Sequence, residues 1–111
     1  MKFLTISKVT DAAALCPVNI ARPLMEATIA WLAAQKKAGK ILEFYAISDG
    51  RFVVICEERS ADDAVKTLAS NPFSSFLNDE MYALADGSAA MKVHLERVKQ
   101  AEQMIAGATK K

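Results

Sequence analysis

Histidine is almost missing from this chain of 111 residues. His94 is the only one, so a metal centre built on several imidazoles is excluded. Cysteine is scarce as well. Cys16 and Cys56 lie too far apart in sequence for a CxxC or zinc pattern. The start MKFLTISKV, interrupted by Thr5, Ser7 and Lys8, does not read as a secretory signal, and two thiols then fit a reducing cytoplasm. The four glycines, at 39, 50, 87 and 107, all fall at turns or element ends, which leaves no glycine-rich phosphate loop. No apolar run approaches the ~18–20 residues of a membrane span, so no membrane partner is expected. Charge of one sign is lacking too: 14 basic residues against 13 acidic ones give no field for a phosphate backbone, and nucleic acid is not expected as a partner. No pattern calls for a cofactor or a metal.

What is present is a hydrophobic fraction of 52% in a length that suits one domain and excludes disorder. Residues 2–9 alternate loosely and predict a strand. A linker spans Thr10–Ile20. Pro23, tolerated in a first turn, opens a helix with a stripe of Met25, Ile29 and Leu32; Gly39 ends it behind Lys36 and Lys37. Two β-rich runs, ILEFYAIS and RFVVICEE, then flank Asp49-Gly50, a pair favoured in type I′ hairpin turns. Ser60 caps a helix that buries Ala64, Val65 and Leu68. A fourth strand is expected near Glu80 to Ala85. Ser88 is placed to cap a last helix striped by Met91, Leu95, Val98 and Ile105, and the tail ATKK is expected to fray. The order is α+β: a ferredoxin-like split βαββαβ over residues 1–86 with a four-stranded antiparallel sheet. Residues 87–111 form a C-terminal helix and tail, packed on the domain or on a partner subunit.

A two-residue turn sets the pairing of the hairpin. It places Ala46, Val53, Phe44, Ile55 and Leu42 beneath the helices. It places Ile41, Glu43, Tyr45, Ile47, Phe52, Val54 and Cys56 on the other face. Such an apolar second face, beside an unblunted edge strand, implies a covering partner, and a homodimer or higher homo-oligomer is the expectation.

The segment LASNPFSSFLNDEMYAL, through Leu68, Pro72, Phe73 and Phe76, resembles the run before the last strand of the muconolactone isomerase group. That group belongs to the dimeric α/β-barrel proteins, and the likeness extends in element order over residues 1–86. It implies a dimeric barrel with a pocket. The longer Thr10–Ile20 segment and the added helix from Ser88 depart from the pattern, and no catalytic residue is carried over.

On the residues themselves, Glu43 in an apolar face is a candidate proton shuttle, with Tyr45 orienting a ligand oxygen; the alternative is a structural carboxylate. Thr5, Ser7, Phe52, Val54 and Cys56 are the candidate substrate-binding residues of the same cavity. His94, at the margin of the helix stripe, reads as a surface or helix-packing residue, and Cys16 as an inert thiol for want of a base. Arg22, Lys36 and Lys37 read as a solvated helix end, the alternative being that they reach the barrel mouth and hold an acidic ligand. The expected function is a cofactor-free isomerase acting by proton transfer on a small organic acid or lactone. A non-catalytic binding or assembly module is the alternative, as is a small antibiotic-biosynthesis or haem-type monooxygenase of the same superfamily.

Overall fold

The computed structural model of the chain describes residues 1–109; Lys110 and Lys111, half of the ATKK tail, lie outside the described residues. Strand β1 (Lys2–Val9) leads through a single helical turn, α1 (Asp11–Ala14), into helix α2 (Val18–Lys37). Strands β2 (Ile41–Ala46) and β3 (Phe52–Glu57) form the hairpin, and α3 (Ala61–Ala69) follows. A 3₁₀ turn (Ser74–Phe76) enters β4 (Leu77–Leu84), and α4 (Gly87–Thr109) ends the chain. The strands form one antiparallel sheet in the order β2-β3-β1-β4. This is the expected α+β, ferredoxin-like arrangement.

Three local expectations are corrected. Helix α2 begins after Pro17, not at Pro23: the Pro17 carbonyl accepts from the Ile20 and Ala21 amides, and Pro23 sits inside the helix at the expense of one i→i−4 bond. Helix α4 is capped by Asp86 and not by Ser88, the Asp86 carboxylate accepting the Ala89 amide at 2.8 Å. The Ser60 cap of α3 is as expected, accepting from the Asp63 amide at 3.2 Å.

The third correction has the largest consequence. A type I′ turn needs positive φ at both turn residues, yet no described residue other than glycine has it. Instead the Gly50 amide donates to the Ile47 carbonyl at 3.0 Å, with Gly50 at φ +91°. The Ile47 amide donates to the Arg51 carbonyl at 2.7 Å. This is a three-residue loop, a type I turn closed by a glycine in the left-handed region. The Asp49 carboxylate secures it by accepting the Arg51 amide (3.1 Å) and Nε (2.8 Å), and those donors hold its pKa below the ordinary carboxylate value.

The pairing is therefore one residue away from the expected one: Ala46 opposes Phe52, Tyr45 opposes Val53, and Glu43 opposes Ile55. A bulge at Leu42 then sets Ile41 opposite Cys56. Because strand side chains alternate, such a slip moves a whole set across the sheet. Phe52, Val54, Cys56 and Ile41 face the helices together with Phe44. Val53 and Ile55 join Glu43 and Tyr45 on the open face.

The same parity runs through β1. Phe3, Thr5 and Ser7 are buried on the helix side, whereas Leu4 and Ile6, half-buried, lie on the open side. Thr5 and Ser7, expected in one cavity with Glu43, therefore lie on the opposite side of the sheet from it. Phe3, Cys56 and Ala64 form the core beneath α3, with Met81 packed against them. A fully buried Phe3 contributes roughly 2–3 kcal/mol. Beyond this body α4 projects outward, with Met91, Leu95 and Val98 each more than half exposed. The molecule measures 75 × 30 × 24 Å, and its radius of gyration of 20.6 Å far exceeds the ~13 Å of a compact domain of this length.

Candidate functional site

Between the sheet and α2 lies an apolar cleft of about 600 Å³. Its floor is Ser7, Phe44, Phe52 and Val54; Met25, Thr28, Ile29 and Leu32 of α2 form its roof; Phe73 and Leu77 close one side. Phe44 and Phe52 stack across the hairpin with ring centroids 5.6 Å apart and planes 10° from parallel, which presents a flat aromatic wall. The slope of α2 over this floor is held by polar ties to the chain after α3. Trp31 Nε1 donates to Ser70 Oγ at 2.8 Å. The Thr28 hydroxyl lies 2.9 Å from both the Leu24 carbonyl and Asn71 Oδ1, and its single hydrogen serves one at a time.

The chemistry of the cleft is concentrated at one edge. Ser7 and Asp79 are register partners on β1 and β4, and both point to the helix side. Ser7 Oγ donates to Asp79 Oδ1 at 2.6 Å, a charge-assisted contact. Ser7 is buried, but Asp79 is exposed. The second carboxylate oxygen is thus available to a ligand. Asp79 also borders a smaller recess of about 370 Å³ under Val65, Leu68 and Met81, so the carboxylate is reached from two sides. Thr10, another lining residue, has a buried hydroxyl oxygen with no hydrogen-bond partner among the described residues. The ionisable residues of the lining are Asp11 and Asp79, both acidic. Among the described residues no lysine, arginine or histidine belongs to it.

The residues singled out from the sequence are divided by the sheet. Ser7, Phe52 and Val54 line the cleft. Thr5 and Cys56 share that face but lie in the core: both are fully buried, and the Thr5 hydroxyl has no partner among the described residues. Burial, followed by the charge of Glu58, pushes the Cys56 thiol up from its ordinary value. Glu43 and Tyr45 stand on the open face, exposed, with Tyr45 Oη donating to Glu43 Oε2 at 2.8 Å. That bond and the adjacent negative charge raise the Tyr45 pKa. Tyr82 and Glu80 repeat the arrangement on β4 at 2.9 Å, with the same effect on Tyr82. Cys16 is half-buried, and His94 is exposed on α4. Among the described residues no group of histidine, cysteine or carboxylate side chains could hold a metal, and no described helix is long and apolar enough to cross a membrane.

Asp79 was not foreseen. A fourth strand expected near Glu80 excludes it, whereas β4 begins at Leu77; a carboxylate in phase with Leu77 and Met81 is the signal of a charged group on a buried face.

No family profile matches the chain, and no curated protein does. Among solved structures the chain is similar to 5-chloro-2-hydroxyhydroquinone dehydrochlorinase (TftG) from Burkholderia phenoliruptrix AC1100, in complex with 2,5-dihydroxybenzoquinone. The identity is 18% and the TM-score 0.58, over 80% of this chain and 98% of that one. The shared property is the fold. Nearly all of the dehydrochlorinase is matched while about a fifth of this chain is left over, and α4 is of that size.

Proposed function

We propose that this protein binds a small ring-shaped ligand in the cleft and moves a proton between that ligand and Asp79, as a cofactor-free isomerase of the muconolactone isomerase kind would. The observation that carries the reading is a Ser7–Asp79 pair set at the edge of an otherwise apolar cleft. Ser7 occupies one carboxylate oxygen and fixes the plane of the group; the other oxygen accepts a proton from an acidic C–H or O–H. The Phe44–Phe52 wall suits a flat ring. The likeness to a dehydrochlorinase holding 2,5-dihydroxybenzoquinone supports a ring-sized ligand in this fold. With Asp11 and Asp79 in the lining and no cation, a free carboxylate would be repelled. A lactone or a phenol therefore fits better than an open-chain organic acid, and Asp79 takes the role that the sequence suggested for Glu43.

The test is proton exchange in D₂O on an unsaturated γ-lactone, followed by NMR. Deuterium incorporation catalysed by the wild-type chain, lost in Asp79→Asn and retained in Glu43→Gln, is the expected result. Loss in Glu43→Gln with retention in Asp79→Asn would overturn the assignment. Ring binding without exchange, read by quenching of Trp31, the one tryptophan and a lining residue, would make the protein a non-catalytic binding module.

We assign the open sheet face to a homodimer. Leu4, Ile6, Val53 and Ile55 form its apolar centre, Lys2 and Lys8 lie at the ends of β1, and Glu43 and Glu80 flank it with their tyrosines. Lysines and carboxylates on one face let two copies pair charge to charge around an apolar middle. Val53→Asp is then the disruptive substitution; Phe52, which faces the cleft, is not. By light scattering, a folded Val53→Asp chain that dissociates at a concentration several-fold higher than wild type is expected, and a wild-type monomer at micromolar concentration would refute the pairing.

A further inference from the structure

Helix α4 stands out from the domain and is not used by the cleft. We propose that it pairs with α4 of a second copy of this chain, parallel and in register, as a short two-stranded coiled coil.

The spacing of α4 carries the argument. Met91, His94, Val98, Ala101, Ile105 and Ala108 recur at alternating steps of three and four, the a and d positions of a heptad seam. Leu95 flanks that seam. The alternative seam, the stripe through Leu95, would bury the charge of Glu102 where this one places Ala101; this one takes His94 in place of Leu95. Met91 is 68% exposed and Val98 54%, so the domain to which the helix belongs leaves these two seam positions uncovered. Ala101 and Ala108 keep it narrow enough for two helices to approach closely.

The charges then choose the partner and its direction. Glu96 and Lys99 fall on the outer surface of the heptad and pair within the helix at 3.5 Å. Arg97 falls at g and Glu102 at the following e, the two positions that flank the seam. Neither is in an ion pair within the protomer among the described residues. In a parallel pair, g of one helix meets the following e of the other, so Arg97 meets the Glu102 of the second copy twice, once on each side. An antiparallel pair sets g against g and forfeits that attraction. Within one helix the two residues point about 140° apart and do not reach each other. The seam and the charges together select a second copy as the occupant.

The experiment uses the full chain with Cys16→Ser, which leaves only the fully buried Cys56. In a parallel, in-register pair position 101 meets its own copy, so Ala101→Cys should give a disulfide-linked dimer under mild oxidation, several-fold more than Gln103→Cys on the outer surface. Arg97→Glu added to Ala101→Cys should reduce that yield several-fold, and Arg97→Glu with Glu102→Arg should restore it. Equal cross-linking at 101 and 103, or no recovery on charge reversal, would overturn the proposal. None of these residues touches the cleft, so this pairing and the role of Asp79 stand or fall separately.

Discussion

Removing the Ser7 hydroxyl tests the site at its least ambiguous contact. Ser7 is 5% exposed and donates to Asp79 at 2.6 Å. A hydrogen bond to an ionised acceptor contributes roughly 1.5–3 kcal/mol. In Ser7→Ala the exposed Asp79 carboxylate regains water, so the loss should fall at the low end, about 1.5 kcal/mol. For a domain of this size that corresponds to roughly 6–12 °C in Tm. In Asp79→Ala the buried Ser7 hydroxyl loses its acceptor, a cost of about 1–3 kcal/mol. The two residues share one bond, so their effects must not add. Urea unfolding monitored at Trp31 for wild type, both single variants and the double variant gives the coupling, expected at about 1 kcal/mol or more. Additivity within about 0.3 kcal/mol would show that the contact does not hold the two strands' side chains together, and the positioning of Asp79 by Ser7 would fall with it.

Gly50→Ala should destabilise the protein by about 1–2 kcal/mol, because a Cβ is strained at φ +91° although the space around it is open; an unchanged urea midpoint would refute the three-residue loop. Tyr45 and Tyr82 should ionise above the ordinary tyrosine value of 10.0. Each carboxylate holds the phenol proton and repels the phenolate, so Glu43→Gln should lower the Tyr45 midpoint in an ultraviolet titration, and an unmoved curve would refute the pair. Thiol labelling at pH 8 should modify Cys16 in the native protein and Cys56 only after unfolding, since burial keeps Cys56 protonated and covered; two fast native thiols would contradict the core assignment.

How far the site was legible in the sequence depends on how local its determinants are. The strand of Lys2–Val9, the helix after Ser60 and the order of elements follow from alternation, capping and helical spacing, and all are present in the fold. Such signals depend on residues one to four positions apart. The hairpin exposed the limit. Asp49-Gly50 marks a turn equally well whether Asp49 is its first central residue or its second, and the choice is settled by the Asp49 carboxylate capping the Arg51 amide. A one-residue difference there separated Glu43 and Tyr45 from Ser7, Phe52 and Val54.

The sequence by itself determined the fold class, the edge strand β2, the position of the turn and the presence of two apolar sheet faces, because these rest on short-range pattern. Only the tertiary structure decided which face meets the helices and where a carboxylate meets the cleft. Ser7 and Asp79 are adjacent because β1 and β4 pair across the length of the domain. No periodicity along the chain records that contact, since it is the closure of the sheet, and not either residue's neighbours, that brings the two side chains within 2.6 Å.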